Sequence, residues 1–181
     1  MITERKIQDA FYLRNQTRFT TIIPNCYPPR WFECDLMAIT EAGYMYEFEI
    51  KLSRSDFLND AKKGRAPKYL KEYYAGLKMK YGRTKYERLS SGDKNGPSRF
   101  WYIVPEVLLD KIELPPFSGC LCVKEMSHFI FLKEIQKAPR LHTHKMNEEH
   151  KDIIRRNLYH RYWTERNRNN QAQEERASDL E

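Results

Sequence analysis

Apolar side chains recur at two spacings along this chain, and the switches between them mark its elements. Ile7, Ala10 and Phe11, with Leu13 beside them, follow a helical period. Thr3 stands where a hydroxyl caps such a helix, which runs to about Asn15. Phe19–Ile23 is β-branched and strand-like; Pro24 closes it, and with Pro28 and Pro29 makes a loop of the residues up to Arg30. The period then becomes two. Phe32, Cys34, Leu36 and Ala38 alternate with Glu33, Asp35, Met37 and Ile39. After the turn Glu41-Ala42-Gly43, the residues Tyr44, Tyr46, Phe48, Ile50 and Leu52 alternate with Met45, Glu47, Glu49 and Lys51. This predicts a β-hairpin whose second strand sends Phe48, Ile50 and Leu52 into a core. Ser53 caps a helix from Arg54 to about Lys63.

Further on, the pattern predicts a helix over Lys68–Met79 and a turn-rich loop over Ser90–Pro97. Phe100–Val104 is a continuous apolar run, as in a strand buried on both faces. Cys120–Val123 and Phe129–Ile135 are shorter strands. Asn147 caps a last helix reaching about Arg166, with Ile153, Ile154, Leu158, Tyr162 and Trp163 as its stripe, suited to docking on the domain or on a second copy. That leaves a homodimer open. Strands alternating with helices place the chain in the α/β class, with a mixed sheet covered by helices. The expected organisation is one domain over 1–140, a C-terminal helix over 141–166 and a flexible polar tail over 167–181, where the apolar period stops.

Composition narrows the chemistry. Lys and Arg number 32 against 25 Asp and Glu, a formal charge of +7 that favours a polyanionic partner. No apolar run approaches the ~18 residues of a membrane-spanning helix, and MITERKIQDAFY has none of the apolar stretch of a secretory signal. No membrane partner and a cytoplasmic location are expected. Cys26, Cys34, Cys120 and Cys122 form no CxxC pair and read as reduced thiols. His142, His144 and His150 lack a fourth ligand at zinc spacing.

The informative cluster is on the hairpin. Glu49 and Lys51 project from one face of their strand, with Glu47 beside them, and Asp35 lies on the neighbouring strand. Two carboxylates side by side repel each other unless a cation lies between them. Oxygen donors suit Mg²⁺ or Mn²⁺, and the backbone carbonyl of Ile50 is a third candidate ligand. A lysine beside such an ion can orient or deprotonate a water and offset charge on a phosphate. Glu33 and Glu47 are candidates for supporting roles. Arg54 either reaches a phosphate or pairs with Asp56. Lys62, Lys63, Arg65, Lys68, Lys71, Lys78, Lys80, Arg83 and Lys85, interleaved with Tyr69, Tyr73, Tyr74 and Tyr81, offer phosphate neutralisation and stacking. The competing reading is a solvated basic helix whose tyrosines pack inward.

Asp35, thirteen residues, then Glu49-Ile50-Lys51, after a first helix bearing Glu4, resembles the PD-(D/E)XK nuclease superfamily. The string Glu33–Lys63 with Phe100–Leu109 is similar to the MmcB-like DNA repair group within it. The resemblance spans roughly residues 1–140 and implies a restriction-endonuclease-like fold and a Mg²⁺- or Mn²⁺-dependent DNA nuclease. Asp35 and Glu49 match the metal-binding acids, Lys51 the catalytic lysine, and Glu4 the acid that the first helix often adds. Cys34 stands where the superfamily usually has proline. The resemblance equally allows a non-catalytic DNA-binding accessory protein on the same fold. On the nuclease reading DNA is the partner, held by Arg54, Lys62, Lys63, Lys68, Lys71 and Lys78.

Overall fold

A computed structural model describes residues 2–61, 83–126 and 129–178. The chain divides into two units, Met1–Lys145 and Met146–Glu181. The first is α/β, built on a six-stranded mixed sheet in the order β1-β2-β3-β4-β5-β6. Its strands are β1 (Phe19–Cys26), β2 (Cys34–Thr40), β3 (Met45–Ile50), β4 (Arg99–Pro105), β5 (Ser118–Glu125) and β6 (Ile130–Gln136). The β3–β4 and β4–β5 pairs are parallel and the other three antiparallel.

Helix α1 (Glu4–Asn15) begins where the hydroxyl of Thr3 accepts from the Lys6 amide. It lays Ile7 and Phe11 on one face of the sheet, among Leu36, Ala38, Phe48, Ile50, Trp101, Ile103 and Leu132. Phe48 stacks on Trp101 across the parallel β3–β4 pair, with centroids 5.0 Å apart. This face is the apolar core. The opposite face is covered by Phe57 of α2 (Arg54–Asp60), which packs 4.8 Å from the Tyr102 ring of β4.

Several elements depart from the sequence expectations, each for a physical reason. β1 continues through Pro24, which pairs with Leu36. An edge strand tolerates a residue without an N–H, and β1 is an edge. β3 ends at Ile50, so Leu52 leaves the alternation and is 39% exposed rather than in the core. A short helix, α3 (Lys85–Ser90), arises from a capping box in which Thr84 and Glu87 satisfy each other's backbone amides. The helix expected over Lys68–Met79, and with it Lys62, Lys63, Lys68, Lys71 and Lys78, lies outside the described residues.

The first unit extends past residue 140 because the Leu141 amide donates to the Ser98 carbonyl (2.9 Å) and His142 Nε2 contacts the Gly96 carbonyl (3.1 Å). The second unit is α4 (Glu148–Ser178), where Asn147 Oδ1 accepts from the His150 amide. α4 does not stop at Arg166: the segment expected to be a tail continues it to Ser178. Residues 167–178 contain neither glycine nor proline, and an Arg168–Glu165 pair (3.1 Å) supports the turn. Among the described residues, no helix is long and apolar enough to cross a membrane.

Candidate active site

The second face of the sheet is ionic at its centre. The parity of β3 sends Tyr46, Phe48 and Ile50 to the α1 side and Glu47 and Glu49 to the other, where both carboxylates are fully buried. Lys51 follows them and is also buried. Two further residues join from elsewhere, Asp60 at the end of α2 and Lys85 at the start of α3, again buried.

Lys51 holds the first half of this array. Its Nζ lies 2.7 Å from Glu49 Oε2, 3.3 Å from Asp60 Oδ1 and 3.7 Å from Asp35 Oδ2. The Ile50 amide donates to Asp35 Oδ2 (2.8 Å). The Lys51 amide donates to the Ile103 carbonyl on the β4 side (3.0 Å), so the Ile50 carbonyl, anti to it in the same trans peptide, points away from β4 toward the β2 side. Lys85 holds the second half, with Nζ 2.5 Å from both Glu47 Oε1 and Glu49 Oε1. Trp31 Nε1 donates to Glu47 Oε2 (2.7 Å). Arg88 of α3 covers the Trp31 ring, with its guanidinium carbon 4.5 Å from the centroid. Gly96 lies under the same ring, where a Cβ would come within 2.5 Å of it, so glycine is required for this approach.

A chain of hydroxyls reaches the array from the α3 side. Tyr102 OH donates to Asp60 Oδ2 (2.8 Å) and lies 2.7 Å from Tyr86 OH. A tyrosine has one O–H to give, so Tyr86 donates to Tyr102. At the other end, Gln8 of α1 links Glu4 to the hairpin. Its Nε2 shares two N–H donors among Glu4 Oε1 (2.9 Å), Asn25 Oδ1 (3.0 Å) and the Asp35 carbonyl (3.0 Å).

Burial and charge set the protonation states. Burial works against the charge on Lys51, but Glu49, Asp60 and Asp35 outweigh it and hold its pKa above the usual lysine range. Lys85 is raised in the same way, with Glu47 and Glu49 overcoming burial. Burial pushes Glu47 up to about 7, and its neighbour Glu49 adds to the effect against the pull of Lys85. Burial and the Asp60 charge also raise Tyr102, which remains a neutral donor. Both lysines are therefore ammonium groups. Four carboxylates (Asp35, Glu47, Glu49, Asp60) thus lie against the two ammoniums in a buried cluster.

An all-oxygen donor set is of the kind that suits Mg²⁺ or Mn²⁺, and Asp35, Glu49 and the Ile50 carbonyl are the residues that could hold such an ion. Asp35 is 19% exposed, against 0% for Glu49. Among the described residues no group of three or more His, Cys, Asp and Glu side chains is arranged as a ready-made metal site. Asp35 and Glu49 share the ammonium of Lys51 instead.

Of the residues singled out from sequence, Asp35, Glu49, Lys51 and the Ile50 main chain thus come together. Among the described residues, Glu4 is connected to them through Gln8. Arg54 is exposed and its Nε donates to the Lys111 carbonyl (3.0 Å), at the end of the 3-10 helix Glu106–Lys111. Glu33 is exposed and accepts from Tyr27 OH (2.7 Å), while its carbonyl lies 3.4 Å from Lys85 Nζ. Cys34, Cys120 and Cys122 are buried thiols, and Cys26 is a partly buried one. Lys85, expected among the phosphate-neutralising residues, is instead fully buried against Glu47 and Glu49; Asp60, Tyr102, Trp31 and Gln8 are additions that the structure supplies. The Thr84-x-x-Glu87 capping signature and the i,i+3 spacing of Phe57 and Asp60 are the signals in sequence that point to Lys85 and Asp60.

Comparison with known proteins assigns no activity. No family model matches the chain, and no curated protein matches it. Among solved structures, it is similar to SPO1766, a protein of unknown function from Silicibacter pomeroyi, at 16% identity and a TM-score of 0.50, over 91% of this chain and 89% of that one. At this identity the likeness concerns the fold alone.

Proposed function

We propose that the protein is a Mg²⁺- or Mn²⁺-dependent nuclease of the PD-(D/E)XK type, with a restriction-endonuclease-like fold, that hydrolyses phosphodiester bonds in DNA. The observation that carries this reading is the shared ion cluster of Asp35, Glu49 and Lys51 on adjacent strands. The mixed sheet with α1 on one face and the acid–lysine set on the other supports the fold assignment.

In the reaction, water oxygen forms a bond to phosphorus, the bond to the leaving oxygen breaks, and that oxygen takes up a proton. Asp35 and Glu49, with the Ile50 carbonyl, would hold the cation, whose chemistry would be to polarise the phosphate and acidify a water. Lys51 is already protonated, so it serves as a fixed positive charge beside the phosphate and not as a base. Lys85 grips Glu49 Oε1 and leaves Oε2 turned toward Lys51. Trp31 and Lys85 fix Glu47 behind it, so the ligand carboxylate cannot swing. The chain's positive charge, with lysines concentrated in residues 62–85, supports a polyanionic substrate.

One observation favours the second reading, a non-catalytic DNA-binding protein. Each oxygen of Glu49 already has an ammonium against it. Calorimetric titration with Mn²⁺ separates the two. Wild type binds and an Asp35→Ala/Glu49→Ala variant does not if the site is a metal site; equal heats from both proteins would remove it.

A further inference from the structure

Lys51 Nζ contacts both Asp35 and Glu49, and it also contacts a third carboxylate that the nuclease reading does not use. Asp60 is 1% exposed, its Oδ1 is 3.3 Å from Lys51 Nζ, and its Oδ2 is fixed by the Tyr102 hydroxyl. Tyr102 is in turn fixed by Tyr86 at 2.7 Å. A buried carboxylate is costly unless it is paired with a cation, and the Lys51 ammonium is such a partner for Asp60.

We infer that Asp60, held by Tyr102 and Tyr86, is a second seat for the Lys51 ammonium, which it takes when a divalent cation claims Asp35 and Glu49. This rests on the proposed metal site and names how that site loads. Two cations cannot share Glu49 Oε2 and Asp35 Oδ2 without strong repulsion. Without Asp60, an incoming ion would push a buried ammonium away from every carboxylate but those it must share. With Asp60, the lysine shifts its weight from one carboxylate to another 3.3 Å away and stays charged beside the phosphate position. Asp60 and Tyr102 are thus positioning residues. They act through Lys51 and touch neither metal nor substrate.

The two-seat arrangement predicts a specific coupling, measured by Mn²⁺ calorimetry on the full chain in the wild type, Asp60→Asn, Lys51→Met and the double variant. Lys51→Met removes the competing cation and tightens Mn²⁺ binding by at least about tenfold. Asp60→Asn leaves the lysine nowhere to go and weakens binding by about tenfold when Lys51 is present, but by less than about twofold in the Lys51→Met background. A carboxylate that merely attracts the ion from a distance costs the same in both backgrounds, and that result overturns the inference. A wild type that binds no Mn²⁺ overturns the metal reading and this inference with it. A wild-type crystal soaked in Mn²⁺ gives an answer independent of variant folding. With metal bound at Asp35 and Glu49, Lys51 Nζ is expected to keep its contact with Asp60 and to have left Glu49 Oε2; an ammonium still on Glu49 overturns the exchange.

Discussion

Lys85 gives the sharpest test of whether the buried ionic array is built as described. Its ammonium is 0% exposed and lies 2.5 Å from both Glu47 and Glu49, themselves 0% exposed. Lys85→Met keeps the stem volume and deletes the charge. Glu47 and Glu49 are then left facing each other in the interior, with Trp31 on one and Lys51 on the other. Removing one partner of a buried pair costs roughly 3–5 kcal/mol, because the remaining charge has no water to turn to. For a chain of 181 residues, each kcal/mol lowers Tm by about 2–4 °C, so a fall of about 6–20 °C is expected. Thermal melts and urea titrations at neutral pH measure it. Adding Glu47→Gln to Lys85→Met should recover much of the loss, since removing both partners of such a pair is far less costly than removing one. A Lys85→Met protein melting within about 2 °C of wild type would refute the reasoning, as it would place Lys85 in solvent.

The Asp93 carboxyl gives a pH dependence of defined sign. Burial acts to raise its pKa, but hydrogen bonds from Arg88 (2.8 Å) and Asn95 (3.0 Å) outweigh that and lower it from 3.8 to about 2. A depressed acid stabilises the fold above its unfolded pKa, and the contribution is lost as pH falls from about 4 to about 2. Asp93→Asn should therefore cost about 1–2 kcal/mol at neutral pH and flatten the acid limb of the stability curve over that interval; an unchanged limb would contradict the assignment. The basic segment can be tested without its structure. If the proposed DNA-binding role holds, neutralising Lys68, Lys71 and Lys78 should weaken DNA binding across sequences. It should also lower the slope of log K against log salt by about one for each phosphate left without its lysine; an unchanged slope would move the binding surface elsewhere.

The hairpin was legible because its signal is local. Strict alternation from Tyr44 to Ile50 fixes which side chains share a face, and that alone brings Glu47, Glu49 and Lys51 together. The caps at Thr3 and Ser53 were legible for the same reason. Lys85 was not. It follows Lys80 and Arg83 in a run of basic residues, and nothing local distinguishes a lysine folded onto two buried glutamates from one in solvent. Tyr102 lay hidden in the apolar run Phe100–Val104, where its hydroxyl turns to the ionic face. Strand ends were the least legible, because pairing partners decide them: Leu36 carries β1 past Pro24, and Leu52 has no partner to extend β3. In α4 the apolar period stops near Arg166 but the helix does not, because propensity and a local ion pair suffice to continue it.

The central claim is that Asp35, Glu49 and Lys51 hydrolyse DNA with a divalent cation. One assay addresses it directly: cleavage of supercoiled, linear, single-stranded and branched DNA by wild type and by Lys51→Met, with Mg²⁺, with Mn²⁺ and with chelator. The account predicts cleavage of at least one form by wild type with metal and none with chelator. Lys51→Met, still folded and still binding DNA, should be slower by about 10²–10³, the usual cost of removing a preorganised charge-stabilising group. Wild-type rates from Lys51→Met, or no cleavage of any form with either metal, would contradict it, and the second result would leave the DNA-binding accessory reading in its place.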